Sequence, residues 1–153
     1  MGGCPPKRSL AGGDPIETFT NRSHRGKTVK TSNATDVQLV KETRQQMNGK
    51  PAIVVVNGSN PMVFSGFEPN ANATLLSFNG QDQALLDIIS DKAEPSALLP
   101  MQMPASMSDV EKQAEDVPFD MACYRNSEGN TYDFGFGLNW KGVMTDARVW
   151  RYR

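Results

Sequence analysis

Histidine and cysteine are scarce: His24 is the single imidazole, and Cys4 and Cys123 are the two thiols. A zinc site or a Ser-His-Asp triad would have to be built around His24, in a segment that reads as loop, and no GxSxG elbow accompanies it. His24 is therefore read as a surface side chain. The cysteines form neither a CxxC pair nor a metal-ligand spacing, so they leave the redox compartment open. Long apolar runs are also lacking. Nothing approaches the ~18 residues of a membrane span, and residues 1–10 hold no apolar stretch of the secretory kind. Pro6 stands where a myristoylation motif prefers Ser or Thr. MGGCPPKRSL resembles neither a targeting peptide nor the start of a domain.

No charge of one sign dominates, since 16 Lys+Arg face 17 Asp+Glu for a formal charge of −1. That balance gives no general electrostatic attraction to nucleic acid or to an anionic membrane, and neither is expected as a partner. The charge is uneven: residues 1–50 hold nine basic and four acidic groups, residues 51–100 one and five. The basic third has no interleaved aromatics to stack bases, so it reads as a solvated surface. No metal or organic cofactor requirement is visible.

What is present is a chain of 153 residues, 38% hydrophobic, with 13 Gly and 10 Pro. That size and composition fit one loop-rich globular domain with a modest core. Residues 1–35 read as an extended arm without apolar periodicity, and residues 36–153 as the domain. Thr35 or Asp36 can cap a helix that carries Val37, Val40 and Met47 on one side and ends near Asn48-Gly49 before Pro51. The β-branched run 52–56 predicts a strand covered on both faces, with a turn over 57–61. Residues 61–67 form a short strand or turn, and 73–78 a second buried strand. Gln81–Ser90 predicts a helix with apolar residues around much of its circumference. Residues 97–103 predict a third strand pushed to an edge by its prolines. This alternation is the α/β signature: a layered α/β sandwich with a mostly parallel sheet, helices on both faces and an extended N-terminal arm.

The local motifs are weak. Gly26-Lys27-Thr28 looks like the end of a phosphate-binding loop, but Asn21 replaces its first glycine. Asn57-Gly58-Ser59-Asn60 follows a strand with one glycine where a dinucleotide fingerprint needs three. Asp87 and Asp91 share a helix face and read as solvated, as do Glu115 and Asp116 in an acidic loop. More informative is YDFGFGLNW (132–140), which places large flat rings on a backbone able to turn sharply. It packs as core, or presents Phe134, Phe136 and Trp140 to a sugar face.

Taken together, KPAIVVVNGSNP (50–61), ATLLSFNGQDQALLDIIS (73–90), EPSALLPMQMP (94–104) and YDFGFGLNW resemble the C-terminal α/β-sandwich domain of glycoside hydrolase family 3, the β-glucosidase family. Order and spacing match over roughly two-thirds of the chain. Ala97 replaces the usual Gly of the Pro-Ser-Gly-x-Leu-Pro segment, and Asp91 stands where the helix often ends in Gly; both changes call for a negative φ. QDQALLDIIS, VEKQAEDVPFDM and GLNWKGV look most like the subgroup of Bacteroidetes-type bacteria.

The resemblance implies a retaining hydrolase of β-linked glucosides or oligosaccharides. Its Asp nucleophile lies on a (β/α)₈ barrel and its Glu acid/base on this second domain. A barrel needs ~250 residues, so the nucleophile is not among these 153. Glu17, in Glu-Thr-Phe-Thr-Asn-Arg, is the candidate acid/base. A full-length bacterial hydrolase of this kind is periplasmic or exported. The alternatives are a stand-alone carbohydrate-binding module and a degenerate truncated product.

Overall fold

A computed structural model describes residues 34–114, 117 and 119–150. Helix α1 (Ala34–Gln46) opens it, followed by strand β1 (Ile53–Asn57), two 3₁₀ turns (Phe64–Gly66 and Glu68–Asn70) and strand β2 (Ala73–Ser77). Helix α2 (Asp82–Ile89), helix α3 (Met107–Lys112), a hairpin of β3 (Leu138–Asn139) and β4 (Gly142–Val143), and helix α4 (Ala147–Trp150) complete it.

Helix α1 stops as its sequence dictates. The Lys50 amide donates to Met47 O at 3.0 Å across Asn48 (φ 48°) and Gly49 (φ 84°). Two consecutive left-handed residues suit Asn-Gly, and Pro51 then bars further helix. Val37 and Val40 pack against the core. The Arg44 guanidinium donates to Lys50 O and to Asn72 Oδ1, which also accepts the Ala52 amide at 2.9 Å. One amide side chain thus aligns the starts of both strands.

β1 and β2 pair in parallel, with Val54 opposite Thr74 and Val56 opposite Leu76. Alternation sends Val54, Val56 and Leu76 to the core, where Phe64 is 1% and Met103 0% exposed. Ile53 and Val55 point the other way and stay 44% and 41% exposed. The coverage of both faces expected for the β-branched run is therefore not met among the described residues. The parallel sheet there has two strands. α2 has the expected place, yet none of its residues is buried, and Leu86 and Ile89 are exposed.

The third strand expected over 97–103 does not form. The segment bends at Pro100 and Met101, and its backbone bonds are shared out among several partners: the Leu99 amide donates to Phe136 O, that of Met103 to Tyr132 O, and that of Tyr124 to Met103 O. Pro100 and Pro104 have no amide to donate, which breaks any ladder.

Asp91 corrects the sequence reading of its backbone. Its φ is +61°, not negative. The Lys92 amide donates to Asp87 O at 2.8 Å and that of Asp91 to Ile88 O at 3.2 Å, the paired bonds of a Schellman cap. Asp tolerates this left-handed position better than most residues, but its charge opposes the helix C-terminus. Asp91→Gly is therefore expected to stabilise the chain by up to about 1 kcal/mol, raising Tm by about 2–4 °C. A lower Tm in a thermal melt would show that the carboxylate itself holds the turn.

Candidate functional site

The best-defined side-chain constellation lies where the 3₁₀ turns meet the C-terminal loops. The Phe64 ring centroid is 5.1 Å from that of Phe67, 5.1 Å from Tyr132 and 6.2 Å from Tyr124, and Tyr132 meets Phe136 at 5.0 Å. Glu68 follows Phe67 directly, so its half-buried carboxylate borders the rings. Its Oε2 accepts the Tyr124 hydroxyl at 2.8 Å and its Oε1 the Tyr132 hydroxyl at 3.3 Å. One carboxylate ties together stretches 56 and 64 residues away.

Burial above all, and then the Glu68 charge, pushes the Tyr132 phenol up to about 12. Tyr124 is pushed up too, first by burial and then by its bond to Glu68. Both are held neutral in the fold. A group whose pKa is raised on folding stabilises fully below its unfolded value, here ~10, and loses that contribution as pH climbs through the folded value. The urea midpoint is expected to fall steeply between about pH 10 and pH 12, and to fall less steeply in Tyr132→Phe. An unchanged slope in that variant would remove Tyr132 from the effect.

Cys123 lies in a second polar cluster, in which Gln102 Nε2 donates to Asp133 Oδ1 at 2.8 Å and approaches Cys123 Sγ at 3.2 Å. Burial, with Asp133 adding to it, pushes the thiol up to about 11. A thiol kept protonated is a poor nucleophile.

The segment 132–140 is divided in use. A Cβ on Gly135 (φ 79°) would collide with Val149, and one on Gly137 would lie 2.5 Å from Ala97 O. These glycines let the segment lie against its neighbours. Phe134 and Phe136 are half-buried, the latter against Tyr132. Trp140 stands in the turn of the β3–β4 hairpin, 55% exposed, flanked by exposed Leu138 and Val143. The three aromatic residues singled out in the sequence thus differ in surroundings, and Trp140 alone of them is open to a flat ligand.

Glu17, Cys4, His24, residues 26–28, Glu115 and Asp116 lie outside the described residues. Asp87 accepts the Gln83 side chain within α2, and Asp91 forms the helix cap, so this pair has structural partners. Among the described residues, no three His, Cys, Asp or Glu side chains converge as metal ligands. Glu68 had no sequence signal, because neither tyrosine is near it along the chain.

Comparison with known proteins adds what the geometry lacks. The Glycosyl hydrolase family 3 C-terminal domain matches residues 17–140. Beta-glucosidase C of Emericella nidulans is 34% identical over 91 residues, covering 60% of this chain and 14% of that protein. The Probable beta-glucosidase C of Aspergillus oryzae is 33% identical over 90 residues, 59% of this chain and 13% of its own length. The Periplasmic beta-glucosidase/beta-xylosidase of Dickeya chrysanthemi is 28% identical over 120 residues, 78% of this chain and 17% of its own. The chain spans 13% to 17% of the length of these relatives. No solved structure matches it.

Proposed function

Because the chain belongs to the glycosyl hydrolase family 3 C-terminal domain family, we propose that it serves as the C-terminal part of a β-glucosidase-like hydrolase acting on terminal β-linked glucose or a related sugar. The match over residues 17–140 carries this function, and the β-glucosidase names of the relatives support the substrate class. In the proposed enzyme a (β/α)₈ barrel elsewhere in the polypeptide supplies the Asp nucleophile, and Glu17 is the acid/base. The complete domain is a layered sandwich with helices on both faces of its sheet, of the Bacteroidetes-type subgroup, and the enzyme is periplasmic or exported.

Retention takes two carboxyl groups about 5 Å apart on either side of the glycosidic bond. One of the pair does not suffice for a two-step displacement. The purified 153-residue chain is therefore expected to leave an aryl β-glucoside intact. Turnover by this chain that Glu17→Gln abolishes would overturn the division of labour.

The exposure of Trp140 favours a second reading, a sugar-stacking surface on the hairpin. Saturable quenching of Trp fluorescence by glucose or cellobiose, lost in Trp140→Ala, supports it. A flat titration counts against it.

A further inference from the structure

Three Asn-Gly steps occur in the sequence, at 48–49, 57–58 and 79–80. Such a step can rearrange without an enzyme, because glycine offers no side chain to shield its backbone nitrogen. All three asparagines are exposed, so exposure does not separate them. Hydrogen bonding does. The Asn57 side chain ties the two steps together, its Nδ2 donating to Asn79 Oδ1 at 3.3 Å and its Oδ1 accepting the Asn79 backbone N–H at 3.0 Å. The amides that would attack are engaged as well: that of Gly58 donates to Ser77 O at 3.0 Å and that of Gly80 to Ser77 Oγ at 3.1 Å. Reaction at either step first requires the ends of β1 and β2 to open.

At the third step, no hydrogen bond among the described residues holds the Asn48 side chain or the Gly49 amide. Both residues are exposed, and a Cβ on Gly49 would meet nothing within 4 Å. The turn is closed around them, by the Lys50 amide on Met47 O.

We propose that Asn48 is a site of spontaneous deamidation, selected over Asn57 and Asn79 by the hydrogen bonds of the fold. The Gly49 nitrogen, losing its proton to water, bonds to the Asn48 side-chain carbonyl carbon. The C–NH₂ bond breaks and ammonia leaves, giving a succinimide. Water then opens the ring at one of its two carbonyls and leaves aspartate or isoaspartate. No oxidant or reductant is involved. The product carries a new negative charge just past the end of α1, where the helix dipole disfavours it. The isoaspartate also adds a backbone carbon to a turn that needs two left-handed residues in sequence.

The purified chain, aged in mildly alkaline buffer, tests this by peptide mapping with mass detection, alongside a sample aged in urea. In the folded sample the Asn48 peptide is expected to convert first, with Asn57 and Asn79 slower by at least about tenfold, as for sites reached only through local opening. In urea the three are expected to convert at similar rates. Folded-state conversion at Asn57 or Asn79 as fast as at Asn48 would overturn the proposal. So would an Asn48 that reacts in urea but not in the fold. Asn48→Gly suits the left-handed position and should abolish the main acidic variant on ion exchange; an undiminished variant would place the modification elsewhere.

Discussion

In the longer hydrolase proposed above, Glu17→Gln is expected to lower kcat/KM for an unactivated β-glucoside by about 10²–10⁴-fold, the usual worth of a positioned acid/base. The amide fills the same space but neither gives a proton to the departing oxygen nor takes one from the incoming water. Two further readouts separate this role from mere damage. The alkaline limb of the pH profile, which reports the protonated acid, should disappear. A leaving group that needs no proton, such as a dinitrophenolate, should be released with a much smaller loss, after which azide replaces water in the second step. A loss equal for both substrates, with the pH profile intact, would remove Glu17 from the chemistry. A general acid of this kind works near neutral pH only from a pocket that raises the pKa of a carboxyl.

The largest effect on stability is expected at Phe64. Phe64→Ala should cost about 3–5 kcal/mol, the range for deleting a buried aromatic ring. Phe64 is 1% exposed and meets Phe67, Tyr124 and Tyr132. Its removal opens a cavity bordered by Glu68, whose carboxylate is held by two of those rings. A single domain has about 5–15 kcal/mol in all, so the variant sits near the threshold of folding. Phe64→Leu keeps most of the volume and should lose much less. Urea denaturation of both variants decides the point: a loss below about 1 kcal/mol for Phe64→Ala would mean that the aromatic cluster does not hold the fold.

The elements that local pattern specifies are found within a residue or two of where the sequence puts them, although Thr35 and Asp36, expected as caps, lie inside α1. α1 has its Asn-Gly stop, and β1 and β2 are β-branched or leucine-rich runs bounded by turn residues. The rest depends on partners distant along the chain. The run over 97–103 reads as a strand from composition, but it bends at Pro100 and Met101 and its hydrogen bonds go to Tyr132, Phe136 and Tyr124 in an irregular order. Asp91 reads as incompatible with a glycine-type cap until the two Schellman bonds are seen. Ile53 and Val55 follow the buried-strand pattern while remaining exposed, since a β-branched run records what the strand is suited to lie between, not which chain supplies it. The bond from Tyr124 to Glu68 has no local signature at all, and Trp140 is distinguished from Phe136 only by its position in the hairpin turn.

The aromatic core also constrains the moment at which the chain can fold during synthesis. Its members run from Val37 in α1 to Tyr132, close to the C-terminal end of the described residues. Chains lengthen on the ribosome at about 5–20 residues per second, and the exit tunnel still hides the most recent stretch. α1, β1 and β2 therefore emerge well before Tyr124 and Tyr132 can close over Phe64. During that interval the β-branched run of β1 has no core to cover it, which is the setting in which nascent chains recruit chaperones or pair with one another.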